Sequence, residues 1–179
     1  DTNKPGSIGQ VMPGTEISIH DIEAPHDPMP LGERGEVRIK GPQVMKGYLN
    51  RPEETADSLR DGWFRTGDVG YMDEDGHFFL VDRMKDLILC SGYNVYPRMV
   101  EEAIYLHPSV AEVTVIGIDD DYRGQSPKAF VKLKEGEQVT EAEMKSFLED
   151  KLSKIEMPSE IEFRLELPKT IIGKLSKKE

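Results

Sequence analysis

Gly62-Trp63-Phe64-Arg65-Thr66-Gly67-Asp68 and, one hairpin later, Val81-Asp82-Arg83-Met84-Lys85-Asp86 are the stretches on which the reading of this chain turns. Between and within them, residues 68–72 and 77–82 read as two strand arms and Asp73-Glu74-Asp75-Gly76 as their turn. Asp75-Gly76 is a strong hairpin signal, because glycine takes a positive φ without a Cβ penalty. Thr66-Gly67-Asp68 sets a carboxylate just after a glycine at the head of a strand. Two acceptor oxygens on a rigid turn suit a ribose diol; an aspartate capping its own turn fits the tripeptide at least as well. Arg83, at the far end of the hairpin, has a guanidinium fork that suits ribose or phosphate oxygens and equally suits a surface salt bridge.

Upstream, Glu16-Ile17-Ser18-Ile19-His20 and Gly35-Glu36-Val37-Arg38-Ile39-Lys40 alternate polar and apolar residues as half-buried strands do. Leu31-Gly32-Glu33-Arg34 reads as a turn, and residues 24–30, with three prolines, as loop. Arg51-Pro52-Glu53-Glu54-Thr55 opens a short helix with Pro52 near its first position. After Lys85 the texture changes. Residues 87–90 form a short apolar strand, and Ser91-Gly92-Tyr93-Asn94 is a small-residue turn expected to lead into a helix. Gly92 would let a ligand or another backbone approach closely. Residues 97–107 predict a helix with Val100, Ala103, Ile104 and Leu106 on its apolar face, stopped by Pro108. Residues 110–118 and 129–133 read as strands. Thr140-Glu141-Ala142-Glu143 is a capping box, starting a helix in which Met144, Phe147, Leu148 and Leu152 share a face. Residues 161–163 are a last short strand, and Gly173 falls in a flexible tail. The expected organisation is a β-rich unit over 1–84, a junction at Lys85 and a compact α+β domain over 86–179. Junction residues absorb backbone rotation where two units move; a plain exposed loop pair reads the same.

The chain has 179 residues, 37% hydrophobic and 32% charged, as in ordinary globular proteins of one or two domains. No apolar run approaches the ~20 residues of a membrane span. Asp1-Thr2-Asn3-Lys4 offers neither the apolar segment of a signal peptide nor a starting methionine, so a piece of a longer, cytoplasmic protein is expected. The single cysteine, Cys90, excludes an internal disulfide framework, and after Leu87-Ile88-Leu89 it reads as a buried strand residue. His20, His26, His77 and His107 show no metal-ligand spacing, so no metal site is expected from them. A net charge of −11 disfavours nucleic acid as a partner. Lys169, Lys174, Lys177 and Lys178 make a basic end on this acidic body: a solvated tail, or a cationic arm for an anionic substrate. Pro168 and Gly173 frame a stretch apt to be a mobile loop, and such a loop can deliver the Lys174 ammonium to a remote phosphate.

In this order, W-F-R-T-G-D (residues 63–68), D-R-x-K-D (82–86), S-G-Y-N-V-Y-P (91–97) and P-K-T-x-x-G-K (168–174) resemble the C-terminal part of an acyl-adenylate-forming enzyme. That superfamily comprises acyl-CoA synthetases, peptide-synthetase adenylation domains and beetle luciferases. Val44-Met45-Lys46-Gly47-Tyr48 resembles the β-rich end of the family's large domain, so the resemblance covers essentially the whole chain. It implies an α+β fold: the β-rich terminal subdomain of the large adenylation domain, then a small mobile α+β lid domain. It implies activation of a carboxylic acid with ATP to an acyl-adenylate and transfer of the acyl group to CoA. Asp68 would hold the AMP ribose with help from Arg83, Lys85 would be the hinge, and Lys174 would be the catalytic lysine of adenylation. Ser91, Gly92 and Tyr93 would line the pantetheine channel. Mg²⁺ would accompany the ATP phosphates, with no dedicated ligand set here.

Lys85 and the segment 91–97 look most like medium- or long-chain fatty-acyl-CoA synthetases. Peptide-synthetase domains typically carry aspartate at the hinge, and luciferases usually have lysine where Leu89 stands. Aryl- and dicarboxylate-CoA ligases are further alternatives. The family's Gly-rich, Ser/Thr-rich phosphate loop is not among these residues. The implied partners are therefore an N-terminal domain of the same longer chain and a fatty acid, and these residues alone are expected to be inactive. Resemblance to bacterial members implies one more partner, a protein lysine acetyltransferase that would neutralise Lys174.

Overall fold

The computed structural model describes residues 4–24 and 26–177; the readings that rest on Asp1 to Asn3, Pro25 and Lys178 lie outside them. The fold is α+β, in two compact units, Asp1–Lys85 and Asp86–Glu179.

The first unit contains β1 (Gly9–Gln10), β2 (Glu16–His20), β3 (Gly35–Lys40), α1 (Pro52–Ser58), β4 (Leu59–Arg60), β5 (Trp63–Met72) and β6 (His77–Arg83). The strands form one antiparallel sheet in the order β1-β6-β5-β3-β2, with β4 on β5. Ile19, Val37 and Phe78 form its buried cluster, flanked by Ile17, Met29, Ile39, Met72 and Leu80. The apolar positions of β2 and β3 alternate because a strand turns every second side chain to the same face. The β5–β6 turn closes on Asp73, whose Oδ1 accepts the N–H groups of Asp75 (3.0 Å) and His77 (2.9 Å), with Gly76 at φ +76°. The first arm of this hairpin begins earlier than expected, at Trp63, so the Trp63-to-Asp68 run is itself strand.

The second unit contains β7 (Ile88–Cys90), β8 (Tyr93–Val95), α2 (Pro97–Tyr105), β9 (Val110–Asp120), β10 (Gly124–Leu133), α3 (Glu141–Leu148) and β11 (Glu160–Phe163). β10 is the spine: β9 pairs with it antiparallel, β11 parallel, and β7 at Gly124↔Cys90, with β8 folded back on β7. Val113, Val115, Ala129 and Val131 from β9 and β10 pack with Val100 and Ile104 of α2 and Met144 and Leu148 of α3. The capping box is present: Thr140 Oγ1 accepts the Glu143 N–H and Glu143 Oε2 accepts the Thr140 N–H. Such a cap stabilises a helix by about 1 kcal/mol. β9 is an edge strand, and α2 takes two of its outward N–H groups. Val113 N–H donates to Tyr105 Oη (3.3 Å) and Val115 N–H to Glu101 Oε1 (2.9 Å). This covers an edge that would otherwise template pairing with another chain.

Three local expectations need correction. Ser91-Gly92 does not lead from strand to helix; it is the two-residue turn of the β7–β8 hairpin, with φ +52° and +82°. Positive φ at both central residues matches the right-handed strand twist. Leu106 is 66% exposed and stands outside the apolar face of α2. The segment around Gly173 is not an unstructured tail but a hydrogen-bonded arch.

Candidate functional site

Asp68 owes its position to an irregularity in β5. Arg38 of β3 faces Arg65 and Glu36 faces Val69, so Thr66, Gly67 and Asp68 together stand opposite Val37. The surplus residues form a bulge, which re-aims side chains and breaks the ladder locally. Gly67 occupies it at φ +69°. Thr66 Oγ1 holds it, donating to the Val37 carbonyl (2.7 Å) and accepting the Asp68 N–H (3.0 Å). A second irregularity follows directly, because Val69 faces Asp82 while Gly70 faces Leu80.

The hairpin register sets Asp68 opposite Arg83, and Arg83 Nε lies 3.3 Å from Asp68 Oδ1. Both side chains reach solvent, at 28% and 62% exposure. A pair this exposed contributes little to stability, so the carboxylate can exchange its partner for a ligand hydroxyl at small cost. A cleft of about 380 Å³ opens beside it, lined by Tyr48, Phe64, Thr66, Gly67, Arg83 and Lys85. Lys85 sits in a 3-10 turn, Met84–Asp86, at the boundary between the two units.

Glu36, a further wall of this cleft, escaped sequence reasoning. It is 2% exposed and accepts from Arg38 Nε (3.0 Å) and Arg65 Nε (3.0 and 3.2 Å). A buried carboxylate needs such partners, since removing one leaves an uncompensated charge. One signal was available: Glu36 and Arg38, two apart on one strand, share a face and carry opposite charge. That Arg65 completes the cluster depends on cross-strand register.

In the second unit, Ser91, Gly92 and Tyr93 occupy the tip of the β7–β8 hairpin. Ser91 N–H donates to the Arg123 carbonyl (2.8 Å), and Tyr93 is 63% exposed. A Cβ built on Gly92 would meet nothing within 4 Å, so the tip is open to an approaching molecule. Nearby, Asp120 is held below the usual carboxylate range by the Ser126 hydroxyl and by the N–H groups of Arg123 and Tyr122.

Lys174 lies on the arch. Lys169 and Leu175 form an antiparallel bridge, and Ser176 N–H donates to the Pro168 carbonyl (2.9 Å). Thr170 closes the loop from inside. Its N–H donates to the Lys174 carbonyl (2.7 Å), its carbonyl accepts the Gly173 N–H (2.8 Å), and its Oγ1 accepts the Lys174 N–H (3.2 Å). Ile171, Ile172 and the Lys174 side chain are exposed at the tip. The structure thus brings Asp68, Arg83 and Lys85 together in the first unit and places the Ser91–Tyr93 hairpin and Lys174 on separate elements of the second.

Residues 99–174 match the AMP-binding enzyme C-terminal domain and residues 1–49 match AMP-binding enzyme. The chain belongs to the acyl-adenylate-forming enzymes. Among its relatives, a long-chain-fatty-acid–CoA ligase of Bacillus subtilis (strain 168) is 52% identical over 97% of this chain and 31% of the relative. A 2-succinylbenzoate–CoA ligase of Geobacillus kaustophilus is 44% identical over 98% of this chain and 35% of that one. ATP-bound MatB from Rhodopseudomonas palustris superposes with a TM-score of 0.90 at 37% identity, covering 97% of this chain and 34% of that one. The o-succinylbenzoate CoA synthetase of Bacillus subtilis with its acyl-adenylate intermediate gives 0.88 at 35% identity, over 96% and 34%. The chain therefore spans about a third of the length of the curated relatives it matches. Among the described residues no helix is long and apolar enough to cross a membrane.

Proposed function

We propose that this chain is the C-terminal part of an AMP-forming acyl-CoA synthetase acting on medium- or long-chain fatty acids. The observation that carries the reading is the Gly67 bulge, which presents Asp68 beside Arg83, while Gly67 and Arg83 themselves line the adjoining cleft. The 52% identity to a long-chain-fatty-acid–CoA ligase supports the substrate class. Asp68 accepts the ribose hydroxyls of ATP and AMP through its two oxygens, and Arg83 orients that carboxylate. Lys174 neutralises charge that builds on the carboxylate and α-phosphate oxygens during in-line attack, the step at which a placed ammonium lowers the barrier most. Lys85 is the hinge about which residues 86–179 move as a lid. After that movement Ser91, Gly92 and Tyr93 line the path of the CoA pantetheine.

Among the described residues no group of three metal-ligating side chains converges. Mg²⁺ would accompany the ATP phosphates and supply positive charge to them. The exposed Lys174 also favours a second reading of the same site, as the target of a protein lysine acetyltransferase that switches adenylation off.

The test is ATP–pyrophosphate exchange by the full-length parent protein with fatty acids of graded length, 2-succinylbenzoate and malonate. Exchange should be strongest with a fatty acid, and Asp68→Asn should raise the KM for ATP by about tenfold, the loss of one charge-assisted contact. Preference for an aryl or dicarboxylic acid would reject the substrate class, and an unchanged KM would reject the role of Asp68.

A further inference from the structure

The arch that carries Lys174 stands on two ion pairs. At its entry, Lys169 Nζ lies 2.8 Å from Glu112 Oε1 on β9. At its exit, Lys177 Nζ lies 3.1 Å from Glu101 Oε1 on α2. Both acceptors are largely shielded, with side-chain exposures of 23% and 17%. Glu101 is itself fixed, because the same Oε1 accepts the Val115 N–H. Glu112 is flanked across the ladder by Lys132, whose Nζ is 3.8 Å away. The Lys169 ammonium, then the weaker field of Lys132, hold the Glu112 carboxyl below its usual range against the opposing effect of burial.

The arch lies over the sheet face opposite the helices. Thr114, Ile116 and Phe130 point to that face, and Pro168, Ser176 and Lys177 border a small hollow with them. Leu167, just before the arch, is buried. Between the feet, apolar cover is thin: Ile171 and Ile172 are exposed and, among the described residues, the span from Thr170 to Lys174 is held by the hydrogen bonds of Thr170. The placement of the Lys174 backbone therefore depends on where the two feet stand.

We propose that Lys169 and Lys177 are positioning residues for Lys174, and that their ion pairs with Glu112 and Glu101 pre-organise the arch for the adenylation step. This rests on the assignment of Lys174 to that step. A preset loop removes part of the ordering entropy that a free segment would lose on engaging the substrate. Once the lid has brought the arch to the substrate, only the Lys174 side chain has to be oriented. The basic end of the chain is thereby divided by role. Lys169 and Lys177 are committed to carboxylates of their own unit, and Lys174 is left for an external anion.

The test uses the full-length parent enzyme in three sets of variants: Lys174→Ala; Lys169→Met and Glu112→Gln; and the restoring variants Lys169→Arg and the charge swap Lys169→Glu with Glu112→Lys. ATP–pyrophosphate exchange and thioester formation from pre-made acyl-adenylate are measured separately for each. Lys169→Met and Glu112→Gln should each lower kcat for exchange by about 10–100-fold, the size of a roughly 1 Å misplacement. The KM for ATP and the thioester step should change less than about twofold, and Lys169→Arg and the charge swap should recover most of the loss. An intact thioester step also certifies that the variants are folded. If Lys174→Ala abolishes exchange while Lys169→Met and Glu112→Gln leave it untouched, or slow both half-reactions equally, the positioning role is wrong and the assignment of Lys174 stands. If Lys174→Ala itself leaves exchange untouched, the assignment beneath the proposal has failed.

Discussion

Two glycines on β5 predict different losses from the same substitution. Gly67 sits at φ +69° in the bulge, and a Cβ built there meets nothing within 4 Å. Gly67→Ala therefore encounters no steric obstacle; its cost is the left-handed backbone, about 1–2 kcal/mol for an L-residue. Gly67→Asn should lose less, because asparagine tolerates that region. Gly70 is the opposite case. Its φ is ordinary, but a Cβ there would lie 2.5 Å from the Phe79 carbonyl oxygen and 2.9 Å from Val37 Cγ2. One contact is strand backbone and the other a core side chain, so β5 and β6 must separate. Gly70→Ala should cost about 3 kcal/mol, the upper end of overpacking penalties. Trp63, the only tryptophan in these 179 residues, lies on the same strand and reports its unfolding. Urea titration of the 179-residue chain by tryptophan fluorescence should give midpoints falling in the order Gly67→Asn, Gly67→Ala, Gly70→Ala. A neutral Gly67→Ala, or an asparagine as damaging as alanine, would refute the argument that a left-handed glycine shapes the Asp68 bulge.

Two further outcomes follow from a buried thiol and a partly shielded carboxylate. Cys90 is fully buried in β7, so a thiol reagent should leave the native protein unlabelled and react stoichiometrically in urea; rapid native labelling would contradict its packing. Glu112 should titrate below the 4.5 of a free glutamate, since Lys169 and Lys132 favour its charged form. With a lowered folded value, the stability it contributes is complete above 4.5 and is lost as pH falls through that lower value. Carboxyl NMR should show the lowered midpoint and its upward return in Lys169→Met; a midpoint at or above the free value would remove the entry foot of the arch.

What could be read from the sequence followed the range of each interaction. The β5–β6 turn, α1 after Arg51 and the capping box of α3 are written in neighbouring residues and appear where local signals put them. The register that sets Arg83 against Asp68 is not local. It results from bulges in β5 and β6 that no alternation pattern displays. β8 was missed because Tyr93-Asn94-Val95 is too short to show a period, although Ser91-Gly92 carries the turn chemistry of a hairpin. Half of β10 was missed because Gly124-Gln125-Ser126-Pro127 reads as loop. It becomes strand only because β9 supplies its partner, with Ser126 buried and hydrogen-bonded to Asp120. The candidate residues Asp68, Arg83, Lys85 and Lys174 rest on motif order alone. The Glu36–Arg38–Arg65 cluster and the feet of the arch, Lys169–Glu112 and Lys177–Glu101, were not, because their partners are remote in sequence.

The central claim is that Lys174 serves adenylation and not thioester formation, and the most direct measurement separates those half-reactions in the full-length parent with Lys174→Ala. The account predicts that ATP–pyrophosphate exchange falls by about 10²–10³-fold, the loss of one transition-state charge contact, while acyl transfer from pre-made acyl-adenylate to CoA persists. Exchange at the wild-type rate, or equal loss in both half-reactions, would contradict it.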